Sequence, residues 1–138
     1  MTDRTLCVIK PNAVADNKIG EIVKCFEDEG LRVAAFRMTC PGRAAVESFY
    51  AEHEGKDFFG RLVDFMTSGP VCALVLEGSD AVDRARAIMG ATNPEKANAG
   101  TIRALYGKNM TQNAVHGSDS SESATREIGF YFAGFDIF

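Results

Sequence analysis

Residues Val71-Cys72-Ala73-Leu74-Val75-Leu76 form an almost unbroken apolar run directly after Gly69-Pro70. A run of this kind suits a central strand buried within a sheet. The segments around it follow two periodicities. Thr5-Leu6-Cys7-Val8-Ile9 and Leu31 to Thr39 read as strands, the first stopped at Lys10-Pro11, so that Lys10 stands at a strand's carboxyl end. Ile19, Ile22, Val23 and Phe26 keep the i, i+3, i+4, i+7 spacing of a helical face, with Gly30 where a left-handed cap belongs. Three further helical stripes follow: Val46, Phe49, Tyr50 and His53; Phe59, Leu62, Val63 and Met66; and Val82, Ala85, Ile88 and Met89. From Gly90 to about Gln112 the pattern dissolves into a long irregular excursion of the sort that usually carries function. A short strand through Val115 then leads into a last helix, whose start is signalled by Asp119 and Glu122 as a capping box. Its core face holds Ala124, Ile128 and Tyr131, with Glu127 on the edge of that face.

The order β-α-β-α-α-β-α-loop-β-α lacks the regular units of a doubly wound parallel sheet. It predicts an α+β sandwich with helices packed on one four-stranded sheet. A chain of 138 residues with no internal repeat or linker reads as a single domain over 1–138. Apolar residues make up 46% and charged residues 25%, and no apolar run approaches the ~18 residues of a membrane span, so a membrane partner is not expected. The start Met1-Thr2-Asp3-Arg4 has no basic region followed by an apolar stretch, which makes a cytoplasmic location the default. Cys7, Cys25, Cys40 and Cys72 form no Cys-x-x-Cys pair and read as buried small hydrophobes in a reducing compartment. A net charge of −4 argues against a nucleic-acid partner, while leaving room for a local basic site for a small anion.

The chain has two histidines, His53 and His116, and the second lies in Asn113-Ala114-Val115-His116-Gly117-Ser118-Asp119-Ser120, eleven residues before Glu127. A histidine there, with a carboxylate on the helix that follows, is a candidate nucleophile with its own support. Taken alone, His116 reads equally as a turn residue and Glu127 as a solvated charge. No Gly-x-Gly occurs, and neither Gly55-Lys56 nor Gly107-Lys108 completes a Walker A loop, so any nucleotide is held in another way. What remains is a set of cations and hydroxyls at irregular or terminal positions: Lys10, Tyr50, Arg86, Thr92 and Arg103, with His53 near Tyr50. Arginine forks match phosphate oxygens, and hydroxyls add neutral donors.

Six segments together carry a resemblance: Ile9-Lys10-Pro11-Asn12-Ala13-Val14, Phe49-Tyr50-Ala51-Glu52-His53, Phe65-Met66-Thr67-Ser68-Gly69-Pro70, Gly90-Ala91-Thr92-Asn93-Pro94, Gly100-Thr101-Ile102-Arg103 and His116-Gly117-Ser118-Asp119-Ser120. In this order, over nearly the whole chain, they resemble the nucleoside diphosphate kinase family, in its bacterial form with a short carboxyl terminus. The resemblance implies a ferredoxin-like βαββαβ core whose four-stranded antiparallel sheet is covered by helices. It also implies a two-step transfer in which a nucleoside triphosphate phosphorylates His116 and a nucleoside diphosphate then takes the group. It assigns Glu127 and Ser118 to supporting the histidine. Lys10 and Asn113 would reach the sugar, with Lys10 also on the γ-phosphate. Tyr50, His53, Arg86, Thr92 and Arg103 would hold the phosphates, and Phe58 would stack on the base without reading it. Mg²⁺ would bridge phosphate oxygens, with no protein side chain assigned to it. Lys10, Arg86 and Arg103 are expected to lower the pKa of His116 by repulsion, against Glu127.

Thr111-Gln112 stands where many members carry Gly-Arg, so only Asn113 is carried over there. The end at Phe138, with Phe130, Phe132 and Phe135, leads to a homo-oligomer, a tetramer being favoured over a hexamer. A nucleotide binder without transfer, and a ferredoxin-like interaction module, are the alternatives. The first would need a missing catalytic residue, and the second a basic, aromatic sheet face.

Overall fold

The computed structural model describes residues 3–138, so Met1 and Thr2 of the amino-terminal reading lie outside the described residues. Four strands, β1 (Asp3–Ile9), β2 (Arg32–Thr39), β3 (Val71–Gly78) and β4 (Val115–Gly117), form one sheet in the order β2-β3-β1-β4, with every pair antiparallel. Seven α-helices accompany them: α1 (Pro11–Ala15), α2 (Ile19–Asp28), α3 (Arg43–Phe49), α4 (Phe59–Met66), α5 (Ala81–Met89), α6 (Ile102–Tyr106) and α7 (Ser121–Tyr131). This is the ferredoxin-like βαββαβ arrangement, with the pair α3–α4 inserted ahead of β3.

The apolar run of β3 is central, and Val71 to Leu76 are all buried. Strand alternation divides its side chains and those of β1 between two cores. Leu6, Val8, Ala73 and Val75 meet residues of α3, α4 and α7 on one face. Cys7, Ile9, Cys72, Leu74 and Leu76 meet Ile22, Phe26, Ala85 and Met89 of α2 and α5 on the other. A sheet covered on both sides leaves the carboxyl end of β1 and the short β4 as the places where polar side chains can face a cleft.

Several local expectations need correction. The stripe from Val46 to His53 is not one helix. It ends at Phe49, and the chain tightens into a 3₁₀ turn over Ala51–His53, where the His53 N–H bonds back to the Tyr50 carbonyl at 2.9 Å. Pro11 both ends β1 and opens α1, because its missing N–H costs nothing at a helix's first position. The excursion from Gly90 contains α6, capped by the Thr101 hydroxyl, and a 3₁₀ turn over Pro94–Lys96 capped by Asn93. α7 is capped one residue later than Asp119: the Ser120 hydroxyl accepts from Ser123 N–H at 3.1 Å. Of the cysteines, Cys7 and Cys72 are buried, but Cys25 is half-buried at the side of α2 and Cys40 is exposed just past β2.

Candidate active site

β1 ends at Ile9, and Lys10 follows with its backbone N–H bonded to the Ala114 carbonyl at 2.8 Å. That bond brings the segment before β4 alongside the end of β1. At Ala114 the chain takes φ 76°, and the Val115 N–H reaches back to the Asn113 carbonyl at 3.0 Å. A γ-turn of this hand is strained for any residue with a Cβ, by about 1–3 kcal/mol. It sets Asn113 and His116 into one cleft from either side of a sharp bend. His116 is therefore a strand residue, at the middle of β4 opposite Val8. Gly117 behind it packs closely on α5, and a Cβ there would displace the end of the Met89 side chain.

The His116 Nε2 lies 2.7 Å from Glu127 Oε1, and the Ser118 hydroxyl donates to that same oxygen at 2.9 Å. Leu6 N–H in turn donates to the Ser118 Oγ at 3.4 Å, so the group is anchored to β1. Glu127 is only 3% exposed, deeper than the helix-edge position its sequence suggests. With Nε2–H donating to a carboxylate, the Nδ1 of a neutral ring keeps its lone pair. The rings of Phe49 and Tyr50 stand edge-on to the imidazole at 5.2 and 5.8 Å and restrict its rotation. Burial holds the His116 pKa below the ordinary histidine value. Glu127 opposes this, and Lys10 and Arg103 add to it. The expected repulsion is thus secondary to desolvation and comes from Lys10 and Arg103. The side chain stays 19% exposed, open to the cleft.

Around His116 lies a cavity of about 530 Å³ lined by ten of the eleven residues singled out in the sequence: Lys10, Tyr50, His53, Phe58, Arg86, Thr92, Arg103, Asn113, His116 and Glu127. Ser118, the eleventh, is buried behind Glu127. Arg103 is a bracket as well as a charge: its two terminal nitrogens donate to the carbonyls of Gly90 at 2.9 Å and Val115 at 2.8 Å. Lys10 is nearly buried, with Nζ 3.4 Å from the Thr111 carbonyl, and burial, reinforced by Arg103, lowers its pKa to about 7. Arg86 is exposed and makes no hydrogen bond or ion pair among the described residues. Asn113 Nδ2 donates to the Thr92 carbonyl at 3.0 Å, which turns its Oδ1 the other way.

Among the described residues five buried side-chain polar atoms have no partner, and three of them belong to cavity residues: the Tyr50 hydroxyl, Arg103 Nε and Asn113 Oδ1. Buried polar atoms are ordinarily satisfied, and three of the five that are not belong to residues of this one cleft. Tyr50 and Arg103 offer donors and call for acceptor oxygens. Asn113 offers an acceptor and calls for a hydroxyl. Burial pushes the Tyr50 phenol up, which keeps it a neutral donor.

The lining also includes the apolar side chains of Phe58, Leu62 and Met110. Leu62 and Met110 were missed from sequence: Leu62 belongs to the core stripe of α4, and Met110 lies in a loop without periodicity. The loop's own signal was Asn109, whose Oδ1 accepts from the N–H groups of Thr111 and Gln112 at 3.0 and 2.8 Å. That turn holds Met110 over the cavity. Two further carboxylates, Glu52 and Asp119, reach the lining, and Asp119 is held below the usual carboxylate range, first by Ser123. No cluster of three or more His, Cys, Asp or Glu side chains suited to a metal ion occurs among the described residues.

Comparison with known proteins bears on the family and the fold. The family model described as nucleoside diphosphate kinase matches residues 3–137. A nucleoside diphosphate kinase of Bdellovibrio bacteriovorus is 53% identical over 135 residues, 98% of this chain and 96% of the relative. The crystal structure of the Aquifex aeolicus nucleoside diphosphate kinase superposes with a TM-score of 0.97 at 42% identity, covering all of both chains. A halophilic nucleoside diphosphate kinase from Halobacterium salinarum, solved in complex with CDP, gives 0.97 at 39% identity over 100% of this chain and 92% of that one. The chain belongs to the nucleoside diphosphate kinase family, phosphotransferases that pass phosphate between nucleotides.

Proposed function

We propose that His116 is the phosphoryl carrier in a two-step exchange between nucleoside triphosphates and nucleoside diphosphates with broad base tolerance. The observation that carries it is the His116 ring, held by Glu127 at 2.7 Å in a cavity that Lys10, Arg86 and Arg103 also line. In the first step the Nδ1 lone pair attacks the terminal phosphorus, a P–N bond forms, the bond from phosphorus to the bridging oxygen breaks, and that oxygen leaves with the diphosphate. In the second step a terminal oxygen of the incoming diphosphate attacks the same phosphorus and the electron pair returns to Nδ1. Glu127 keeps the Nε2 proton in place throughout, with Ser118 fixing the carboxylate. Lys10, Tyr50, Arg86, Thr92 and Arg103 supply positive charge and donors to the phosphates, with His53 at the rim, and transfer of this kind depends mainly on positioning and charge. Asn113 Oδ1 accepts from a sugar hydroxyl, which Lys10 also approaches. Phe58 with Leu62 and Met110 packs against the base.

Mg²⁺ fits this donor set as a passenger of the phosphates, since the ion keeps several waters and takes only one or two carboxylates. Glu52 and Asp119, the carboxylates of the cavity lining besides Glu127, would hold those waters. When bound, the ion neutralises charge developing on the phosphate oxygens.

No helix among the described residues is long and apolar enough to cross a membrane. We place the chain in the cytoplasm as a single-domain homo-oligomer, a tetramer being favoured over a hexamer. Exposed Phe36 and Met38 on the edge strand β2, and exposed Phe135 and Phe138, support self-association.

The direct test is incubation with γ-labelled ATP and Mg²⁺. Acid-labile, base-stable label on the protein that moves to added GDP is the expected result. A folded protein that binds nucleotide but takes no label would reduce it to a binder.

Lys10 gives a second expectation. Its pKa of about 7 in the free protein leaves it mostly neutral at pH 8, and bound phosphates favour the charged form. Nucleoside diphosphate binding at pH 8 should therefore take up about one proton, seen as a calorimetric enthalpy that varies with the buffer's ionisation heat. Lys10→Met should remove the uptake. By the same sign, the unfolded chain holds a proton that the folded chain lacks between pH 7 and 10.5, so this lysine's contribution to stability falls as pH falls through that window.

A further inference from the structure

We infer that Arg61 reads the base of the bound nucleotide and favours guanine over adenine. The inference rests on the active-site assignment above and adds a specificity residue to it.

Arg61 lies on the first turn of α4, three positions after Phe58 and one before Leu62. On a helix, positions i, i+3 and i+4 share a face, so Phe58, Arg61 and Leu62 point the same way. All three line the catalytic cavity. Arg61 also lines a neighbouring groove of about 700 Å³, and the two spaces share Arg61, Met110 and Thr111. Lys10, Arg103 and His116 line the first space only. Arg61 therefore stands where the cavity meets that groove, on the same helical face as Phe58 and Leu62. A base lying flat against Phe58 presents its polar rim there.

The guanidinium is uncommitted. Asp64, one turn on and spaced to pair with it, is instead engaged by Arg43 at 2.7 Å, and Arg61 makes no hydrogen bond or ion pair among the described residues. Arginine's fork fits two adjacent acceptors. Guanine presents O6 and N7 side by side, whereas adenine presents N7 beside an amino donor that the fork cannot engage. Stacking on Phe58 leaves the site open to every base, and Arg61 adds a bias within that tolerance.

The test is calorimetric binding of GDP and ADP to the wild type, Arg61→Ala and Arg61→Lys. The expected result is that the ratio of GDP to ADP affinity falls about tenfold in R61A, the scale of one bidentate base contact. Lysine, a point charge without the fork, should not restore the ratio. An R61A that weakens both nucleotides alike, or neither, overturns the inference and leaves the active-site assignment standing, as does an R61K that keeps the wild-type ratio. A wild type that binds neither nucleotide overturns the assignment itself.

Discussion

Replacing His116 with alanine should lower phosphoryl transfer by about four orders of magnitude or more, the scale seen when a nucleophile is removed outright. Nucleotide affinity should stay within a few-fold, because the donors that meet the phosphates and sugar belong to other residues. The fold should survive as well. His116 gives up one hydrogen bond to Glu127, and Glu127 keeps its bond from Ser118. The measurement is label transfer from ATP alongside nucleotide affinity on the same preparation. Turnover near the wild-type rate would show that the phosphoryl group never resides on this ring.

Arg103→Met should damage both stability and activity. Its two bonds to the Gly90 and Val115 carbonyls tie the end of α5 to the strand that carries His116, and methionine leaves both acceptors, one half-buried and one buried, without this donor. Charged hydrogen bonds of this sort are worth about 1.5–3 kcal/mol each, and a net loss of about 3 kcal/mol would lower the melting temperature by roughly 10 °C. Loss of a charge aimed at the transferring group should cost a further 10²–10³-fold in kcat/KM at temperatures where the variant is folded. Thermal unfolding and kinetics separate the two effects. An unchanged melting temperature would show that the bracket is not structural. Arg103→Lys should recover part of the charge effect and little of the stability, since one ammonium cannot span both carbonyls.

How much of this was legible from sequence differs by residue. The apolar run of β3 and the stripes of α2, α4 and α5 announce their elements because burial on a regular lattice leaves a period. α6 leaves none: five residues are too few, and its start rests on one threonine hydroxyl. The chemistry of His116 and its cations is legible as a constellation of types, but the cause of the lowered histidine pKa is not. Burial dominates it, and burial is a property of α3 and α7 closing over β4, not of any local spacing. Glu127 reads as a helix-edge charge because periodicity places it beside the apolar stripe; a half-buried histidine and a buried serine then give it reason to be inside. Leu62 shows the opposite failure. It serves the core and the cavity at once, and the core accounts for it so well that no second role is visible.

The sheet has two ends, and they are unlike. At one, β4 is three residues long and ends in the Gly117 that seats it against Met89. At the other, β2 runs eight residues with Phe36 and Met38 turned outward. Two strands, β3 and β1, separate them. The candidate site and the exposed apolar pair thus draw on separate sets of residues on one scaffold. A substitution at Phe36 or Met38 therefore acts two strands away from His116 and touches none of the residues that line the cleft.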